Sequence, residues 1–515
     1  MAEITSDKRP EAEETNASII RGEVKQLSTS EAVDEALRDI VDLGGDVEVS
    51  EEESRRVLRK IDWALVPLMC ILYIMQYLDK AALSWSAIMG IRIDNHMSIH
   101  QYAWLNTIFY LGYLVWLYPT SILLQRFPIA KYTSANVILW GIVLACHAAT
   151  TNFAGLMAVR FFLGVLESTV TPSFVLITSK WYRTSESAFR ISLWYGCNGM
   201  AQMIGSAMAY GIYQGENSHG YSIAPWKLLF LVLGCFTILI GVVFILIFPD
   251  SPREARFLKD HDKVLAIERL RFNQQGLGTR VFKRSQVMEA CTDVRTYLYF
   301  LFALCATLPT AITSSFFSIL IQDLGYSTSQ SLLYGMPPGA VQLVLMPTFC
   351  WAADRFRQKC AIGIAGYVIP LVGAILMVAL PKSKVTGQLV GNWLTACAPI
   401  GFAVVLSMVA GNTAGYTKKG VVNSVTMIGY CVGGMVGPQC MQASAAPRYV
   451  PGKIVLCVFY GIAALLIFII RCINVAENRR RDRGRQELGD AYSRVENQEF
   501  LDLTDKENPD FRYIY

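Results

Sequence analysis

Past an acidic, polar N-terminal stretch, the chain alternates between long apolar runs and short polar ones. The apolar runs cover 64–88, 104–124, 132–150, 154–179, 189–213 and 227–248, then 297–320, 331–351, 360–380, 392–411, 421–442 and 454–474. Each is close to the roughly 20 residues an α-helix needs to cross a bilayer's hydrocarbon core. Within lipid such runs must be helices, because an open sheet edge would leave backbone groups without partners. The pattern predicts an all-α membrane protein with twelve transmembrane helices. A polar stretch at 249–296 splits them into six and six. The expected organisation is an N-terminal six-helix bundle over 56–248, a cytoplasmic linker over 249–296 and a C-terminal six-helix bundle over 297–475. Residues 1–55, rich in Glu, Ser and Asp, read as a disordered tail, and 476–515 as a second tail.

Composition agrees with lipid as the solvent. Only 17% of residues are charged and 53% are hydrophobic, where a soluble protein carries about 25% charged residues. The net charge of +5 gives no reason to expect nucleic acid. Basic residues gather at segment ends on one side: Arg126 and Lys131, Lys180, Arg183 and Arg190, Arg355, Arg357 and Lys359, then Lys418 and Lys419. Arg479, Arg480, Arg481, Arg483 and Arg485 follow the last run. By the positive-inside rule both termini are cytoplasmic. The stretch at 1–60 has no apolar core and is not a cleavable signal.

The thirteen cysteines and five histidines form no metal-ligand spacing, so no metal or cofactor is expected. No GxxxxGK[ST], GxSxG or HExxH occurs, which argues against an enzyme and against ATP-driven pumping by this chain alone.

Ionisable groups at membrane depth are costly and therefore informative. Asp79 and Lys80 lie in the first run, Arg160 and Glu167 in the fourth. Counting about 1.5 Å per residue puts Asp79 and Glu167 near mid-membrane and Arg160 about 10 Å farther out. Arg160 and Glu167 are close to two turns apart and share a helix face. A guanidinium in a cavity can hold a carboxylate by two parallel hydrogen bonds, and a half-buried Glu can exchange a proton. Arg160 is the candidate anion site and Glu167, Asp79 and Lys80 the candidate proton-coupling groups. A purely structural ion network is the competing reading. Tyr77, Tyr195, Asn198 and Gln202 in the first half, and Asn412, Tyr430 and Gln439 in the second, are candidate substrate contacts. Interhelical hydrogen bonding explains any one of them as well. Arg126 with Lys131, and Asp354 with Arg355, sit in equivalent short loops of the two halves and are candidate gating loops. Pro172 and Pro337-Pro338 should interrupt the fourth and eighth helices.

Ordered along the chain are Gln76-Tyr77-Leu78-Asp79-Lys80, Tyr110-Leu111-Gly112-Tyr113-Leu114, Gln125-Arg126-Phe127-Pro128 and Arg160-Phe161-Phe162-Leu163-Gly164 with Glu167. Asn198-Gly199, Pro249-Asp250-Ser251-Pro252, Asn412-Thr413-Ala414-Gly415 with Lys418, and Gly437-Pro438-Gln439 follow. As a set they resemble the major facilitator superfamily, and within it the fungal allantoate permease branch of the anion:cation symporters. The resemblance implies proton-driven uptake of a small carboxylate, ureide or vitamin-like anion at the plasma membrane, by a monomer. Three positions depart from the branch. Leu117 stands where a glutamate is frequent, Pro309-Thr310-Ala311-Ile312 replaces Pro-Asn-Gly-Gly, and Gly434 replaces an asparagine. These losses of polar groups suit a bulkier substrate, so efflux of a secondary metabolite is an alternative. A non-transporting nutrient receptor is a third.

Overall fold

The computed structural model describes residues 50–274, 283–381, 383–441, 444, 449–488, 503–508 and 510–515. The tail expected at the N-terminus lies outside them up to residue 49. Helix α1, Glu51–Ile88, begins within the last residues assigned to that tail. Ser50 Oγ accepts from the Glu53 amide at 3.3 Å, and Glu51, Glu52 and Glu53 face the positive end of the helix dipole.

The first half continues with α2 (Ile99–Arg126), α3 (Ile129–Cys146) and α4, made of Phe153–Glu167 and Val170–Trp181. Then come α5, made of Thr184–Gly196 and Asn198–His219, and α6 (Pro225–Ile247). Two linker helices follow, α7 (Asp260–Gln274) and α8 (Arg284–Thr292). The second half holds α9 (Val294–Gln322), α10 (Pro337–Phe356), α11 (Lys359–Ala379), α12 (Val385–Thr395 with Ala398–Gly411), α13 (Tyr416–Val436) and α14 (Val450–Leu488). Ten helices among the described residues are long and apolar enough to cross a membrane. The other two expected spans, α5 and α10, are helical but more polar: α5 carries Asn198, Gln202 and Ser206, and α10 carries Gln342 and Arg355.

α4 is broken at Ser168–Thr169, just where Pro172 lacks the N–H that would bond back to Ser168. Pro337 and Pro338 mark a break in the eighth run, 331–351, where the short helix Thr328–Leu333 stops before them. They start α10, because proline in a first turn removes only an amide that has no helical partner.

Within the halves α2 packs on α4, α3 on α6, α9 on α13 and α11 on α14. Glycine sets the α2–α4 contact. Gly112 faces the Phe161 carbonyl and Gly164 the Phe109 carbonyl, so closely that a Cβ would collide with backbone. The halves meet through α1–α9, α2–α13 and α5–α10.

The face where α1 begins and α14 ends is called the tail face here, and its opposite the far face. Contacts joining the halves run along the far side. Ser84 Oγ donates to Ser318 Oγ at 3.2 Å, and Tyr102 Oη donates to the Ser315 carbonyl at 2.7 Å. Thr107 Oγ1 donates to the Met435 carbonyl at 2.8 Å and accepts from Gln439 Nε2 at 2.9 Å. At the tail face, α7 is tied to the first half by charge. Asp262 takes Arg56 at 2.9 Å and Lys60 at 2.6 Å, and Arg269 takes Glu186 at 2.8 Å and Ser54 at 2.9 Å. Burial pushes the Asp262 carboxyl up, but hydrogen bonds from Lys60 and Arg56 outweigh it and hold the group below the usual range.

Candidate functional site

Adjacent residues on a helix point about 100° apart, and α1 uses this to serve two neighbours. Asp79 turns toward α3, where Oδ2 accepts from Trp140 Nε1 at 2.7 Å. Lys80 turns toward α4, where Nζ pairs with Glu167 Oε1 at 2.6 Å. Glu167 and Asp79 are fully buried. The Lys80 side chain keeps 29% of its surface exposed. The enclosed Glu167 carboxylate is therefore paired with a lysine whose side chain is partly open.

Arg160 shares α4 with Glu167 but not its partner. Its guanidinium lies over the Phe230 ring of α6 at 5.6 Å, and Nε and Nη2 make no hydrogen bond. Only 2% of the residue is exposed. His147 also stacks on the Phe230 ring, at 4.6 Å between centroids. A buried guanidinium with unpaired N–H groups is expensive and marks a place where a ligand or a second conformation can supply acceptors.

Aromatic rings surround the Lys80 region. Tyr110 meets Tyr430 at 5.9 Å, Tyr430 meets Phe402 at 5.8 Å, and Tyr73 meets Tyr195 at 5.7 Å. Tyr113 and Tyr430 are among the side chains near Lys80. Gly434 belongs to this packing: a Cβ there would stand 2.6 Å from Tyr110 ring atoms. An asparagine at Gly434 is incompatible with the Tyr110 ring where it lies.

The structure thus brings Asp79, Lys80 and Glu167 together, with Arg160 farther along α4 and Tyr195 and Tyr430 on the aromatic wall. Tyr77 donates to Gln202 Oε1 at 3.0 Å, and Gln202 Nε2 donates to the Gly335 carbonyl at 2.9 Å, tying the two halves. Asn198 is buried at the start of α5's second part.

Two expected substrate contacts lie elsewhere. Asn412 Nδ2 donates to the Ile514 carbonyl at 2.9 Å and Oδ1 accepts the Ile514 amide at 2.6 Å. Both ends of its amide are taken by the C-terminal segment at the tail face, which removes Asn412 from the substrate contacts. Gln439 holds Thr107 in the far-side seam, so it joins the halves there. Of the candidate gating loops, Arg126 and Arg355 are exposed. Lys131 approaches Asp250 at 3.7 Å while the Ala130 amide donates to the same carboxylate at 2.7 Å. The Asp354 side chain lies outside the described residues.

Sequence reasoning missed Trp140, Tyr110 and Tyr113. An indole N–H in an otherwise apolar span needs an acceptor when buried, and that signal could have led from Trp140 to Asp79.

The pattern of the Major Facilitator Superfamily matches residues 69–438. An allantoate permease of Saccharomyces cerevisiae is 38% identical over 514 residues, covering 98% of this chain and 94% of that one. A thiamine pathway transporter of the same yeast is 34% identical, covering 90% of this chain and 87% of that one. An uncharacterized transporter of Schizosaccharomyces pombe is 39% identical over 466 residues, covering 90% of this chain and 93% of that one. Among solved structures, a bacterial homolog of the human lysosomal transporter Spinster superposes with a TM-score of 0.58 at 17% identity, over 79% of this chain and 96% of that one. Two halves of six helices each, a matching family pattern and full-length permease relatives make this chain a member of the major facilitator superfamily, a multi-pass membrane transporter.

Proposed function

We propose that the chain carries a small organic anion into the cell together with protons, by alternating access, and that the Lys80–Glu167 pair couples the two. The observation that carries this reading is the 2.6 Å ion pair between a lysine with a partly exposed side chain and a fully buried carboxylate. An arriving carboxylate competes with Glu167 for Lys80. Once Glu167 loses its cation, holding it charged in a buried site is costly, so a proton enters with the anion. Release of the anion returns Lys80 to Glu167 and expels the proton. This moves the leading cation of the site from Arg160 to Lys80. Arg160, with its unpaired N–H groups nearer the far face, serves as an anion contact when the far side opens. The aromatic wall of Tyr110, Tyr195 and Tyr430 suits a planar or apolar body behind the carboxylate. A ureide or vitamin-like acid fits that description, and the allantoate permease relative supports the ureide class.

With both termini cytoplasmic, the far face is extracellular and the seam along it closes the outer side, leaving the site reachable from inside. The protein works in this reading as a monomer in the plasma membrane.

The test is uptake into proteoliposomes under an imposed pH gradient, inside alkaline. Accumulation of the anion should collapse when a protonophore is added. Accumulation untouched by the protonophore refutes proton coupling. Glu167→Gln should slow net uptake while sparing anion exchange, and equal loss of both refutes its coupling role. If the anion leaves the cell in direct flux measurements, the direction is efflux.

A further inference from the structure

At the tail face of the second half, residues 503–508 and 510–515 fold back on the helix ends. The Ile514 carbonyl accepts from Asn412 Nδ2 at 2.9 Å and from Asn474 Nδ2 at 3.0 Å. Asn478 brackets the Tyr513 main chain, accepting its amide at 2.9 Å and donating to its carbonyl at 2.8 Å. Asp505 pairs with Lys418 at 2.7 Å and accepts from Tyr513 Oη at 2.7 Å. The Tyr513 ring lies 3.7 Å from the Arg295 guanidinium and 5.0 Å from that of Arg481. Three buried asparagines reading main chain make this a specific seat.

A cavity of about 480 Å³ opens between this segment and the helices, lined by Arg295, Glu477, Arg480, Arg481, Lys506 and Tyr513. Four cations line it, with Glu477 in the wall and Asp293 beside it. Glu477 is shared between Arg481 at 3.2 Å and Arg480 at 3.8 Å, and Lys506 has Asp293 at 3.7 Å. Arg480 and Lys506 keep exposed side chains. Arg295 donates to Asn474 at 3.1 Å, and Arg481 donates to the Phe511 and Asp505 carbonyls at 2.8 Å each, so these two are held within the fold, while Arg480 and Lys506 face the cavity with a carboxylate only at 3.8 and 3.7 Å. A phosphate group, with more acceptor oxygens and charge than a carboxylate, can take several at once.

We propose that this cavity binds a multiply charged phosphate group and that its occupancy clamps the C-terminal segment onto the second half. The lining is divided: Arg295 comes from α9, Glu477, Arg480 and Arg481 from α14, and Lys506 and Tyr513 from the segment itself. A ligand that needs both sides binds only the docked form and stabilises it by mass action. The phosphate has two possible sources, a phosphorylated lipid headgroup or a soluble polyphosphate. Arg480 stands about 15 Å along the helix past Ile470, within reach of a tall headgroup and open to solutes. The cavity belongs to the second half and does not depend on the Lys80–Glu167 reading.

The experiment uses the full chain, with cleavage of the C-terminal segment by a protease and thermal melting as readouts. The probes are inositol trisphosphate in detergent, and nanodiscs of phosphatidylcholine with or without phosphatidylinositol bisphosphate. A phosphate probe should slow cleavage and raise the melting temperature, and the effect should weaken with salt. The double variant Arg480→Ala/Lys506→Ala should lose about tenfold or more in probe affinity, while melting like the parent without probe, because both side chains are exposed. Protection by the soluble probe assigns a free polyphosphate, and protection only in phosphoinositide nanodiscs assigns a headgroup. No protection by either probe, or equal protection in the double variant, overturns the proposal.

Discussion

Replacing Lys80 by Met removes the cation from Glu167 while keeping a side chain of similar length. Glu167 is fully buried, so it is left as an uncompensated charge. Breaking a buried pair from one side costs about 3–5 kcal/mol. The cost has a ceiling, because the carboxyl can enter the folded bundle as the neutral acid. Protonating an ordinary glutamate at about pH 7, against a reference near 4.3, costs about 3.7 kcal/mol at 1.36 kcal/mol per unit. At about pH 5 the same step costs about 1 kcal/mol. Lys80→Met should therefore be destabilised by about 3 kcal/mol at neutral pH and by about 1 kcal/mol near pH 5, relative to the parent at each pH. Adding Glu167→Gln removes the charge altogether, so the double variant should melt higher than Lys80→Met at neutral pH and lose this pH dependence. The assay is thermal melting of the purified proteins in one detergent across that pH range. A penalty for Lys80→Met that does not change with pH, or a double variant no more stable than the single one, refutes a buried charge pair as the core of the site.

Three more outcomes are expected. Ser84→Cys with Ser318→Cys, whose hydroxyl oxygens are 3.2 Å apart in the parent, should cross-link on oxidation and stop transport until reduced; transport that continues with the link formed refutes opening along this seam. Gly434→Asn drives a side chain into the Tyr110 ring, and the overpacking should cost about 1–3 kcal/mol, eased when Tyr110→Ala is added; a stable single variant refutes the packing argument. Asp262, held below the usual carboxylate range, contributes stability that is present above its ordinary value near 3.9 and is lost as pH falls through the lowered one. Asp262→Asn should loosen α7 from α1 at neutral pH, read as faster hydrogen exchange in α7, and unchanged exchange refutes the tie.

The helices were legible because lipid leaves few alternatives: a run of apolar residues long enough to span is a helix, and the polar stretch at 249–296 separates two sets of them. Asp79, Lys80, Arg160 and Glu167 stood out for the same reason, since charge at that depth is costly. Pairing was less so. Spacing along α4 put Arg160 and Glu167 on one face, but the partner of Glu167 comes from α1, and only the α1–α4 geometry reveals it. Asn412 looked like a site residue because it is a polar group at the end of an apolar run. What takes it is Ile514, about a hundred positions later, and no periodicity connects the two. Gly112 and Gly164 stood out only as members of ordered motifs, and the carbonyls they face supply the physical reason for glycine there.

The two kinds of polar contact differ in a way that fits a moving carrier. The hydrogen bonds named above between the halves, Ser84–Ser318, Tyr102–Ser315, Thr107–Met435, Gln439–Thr107 and Gln202–Gly335, are neutral. Each contributes about 0.5–1.5 kcal/mol net, and water can replace each partner as the seam opens. A buried ion pair there would cost about 3–5 kcal/mol to break from one side and would hold the outer side shut. The strong pair, Lys80–Glu167, lies wholly within the first half. Rocking of the halves leaves it intact, and in the proposed cycle a competing anion or a proton is what disturbs it. Motion is thus set against weak, replaceable contacts and chemistry against one strong contact, so a ligand with a few kcal/mol of differential affinity is enough to tip the equilibrium between the two states.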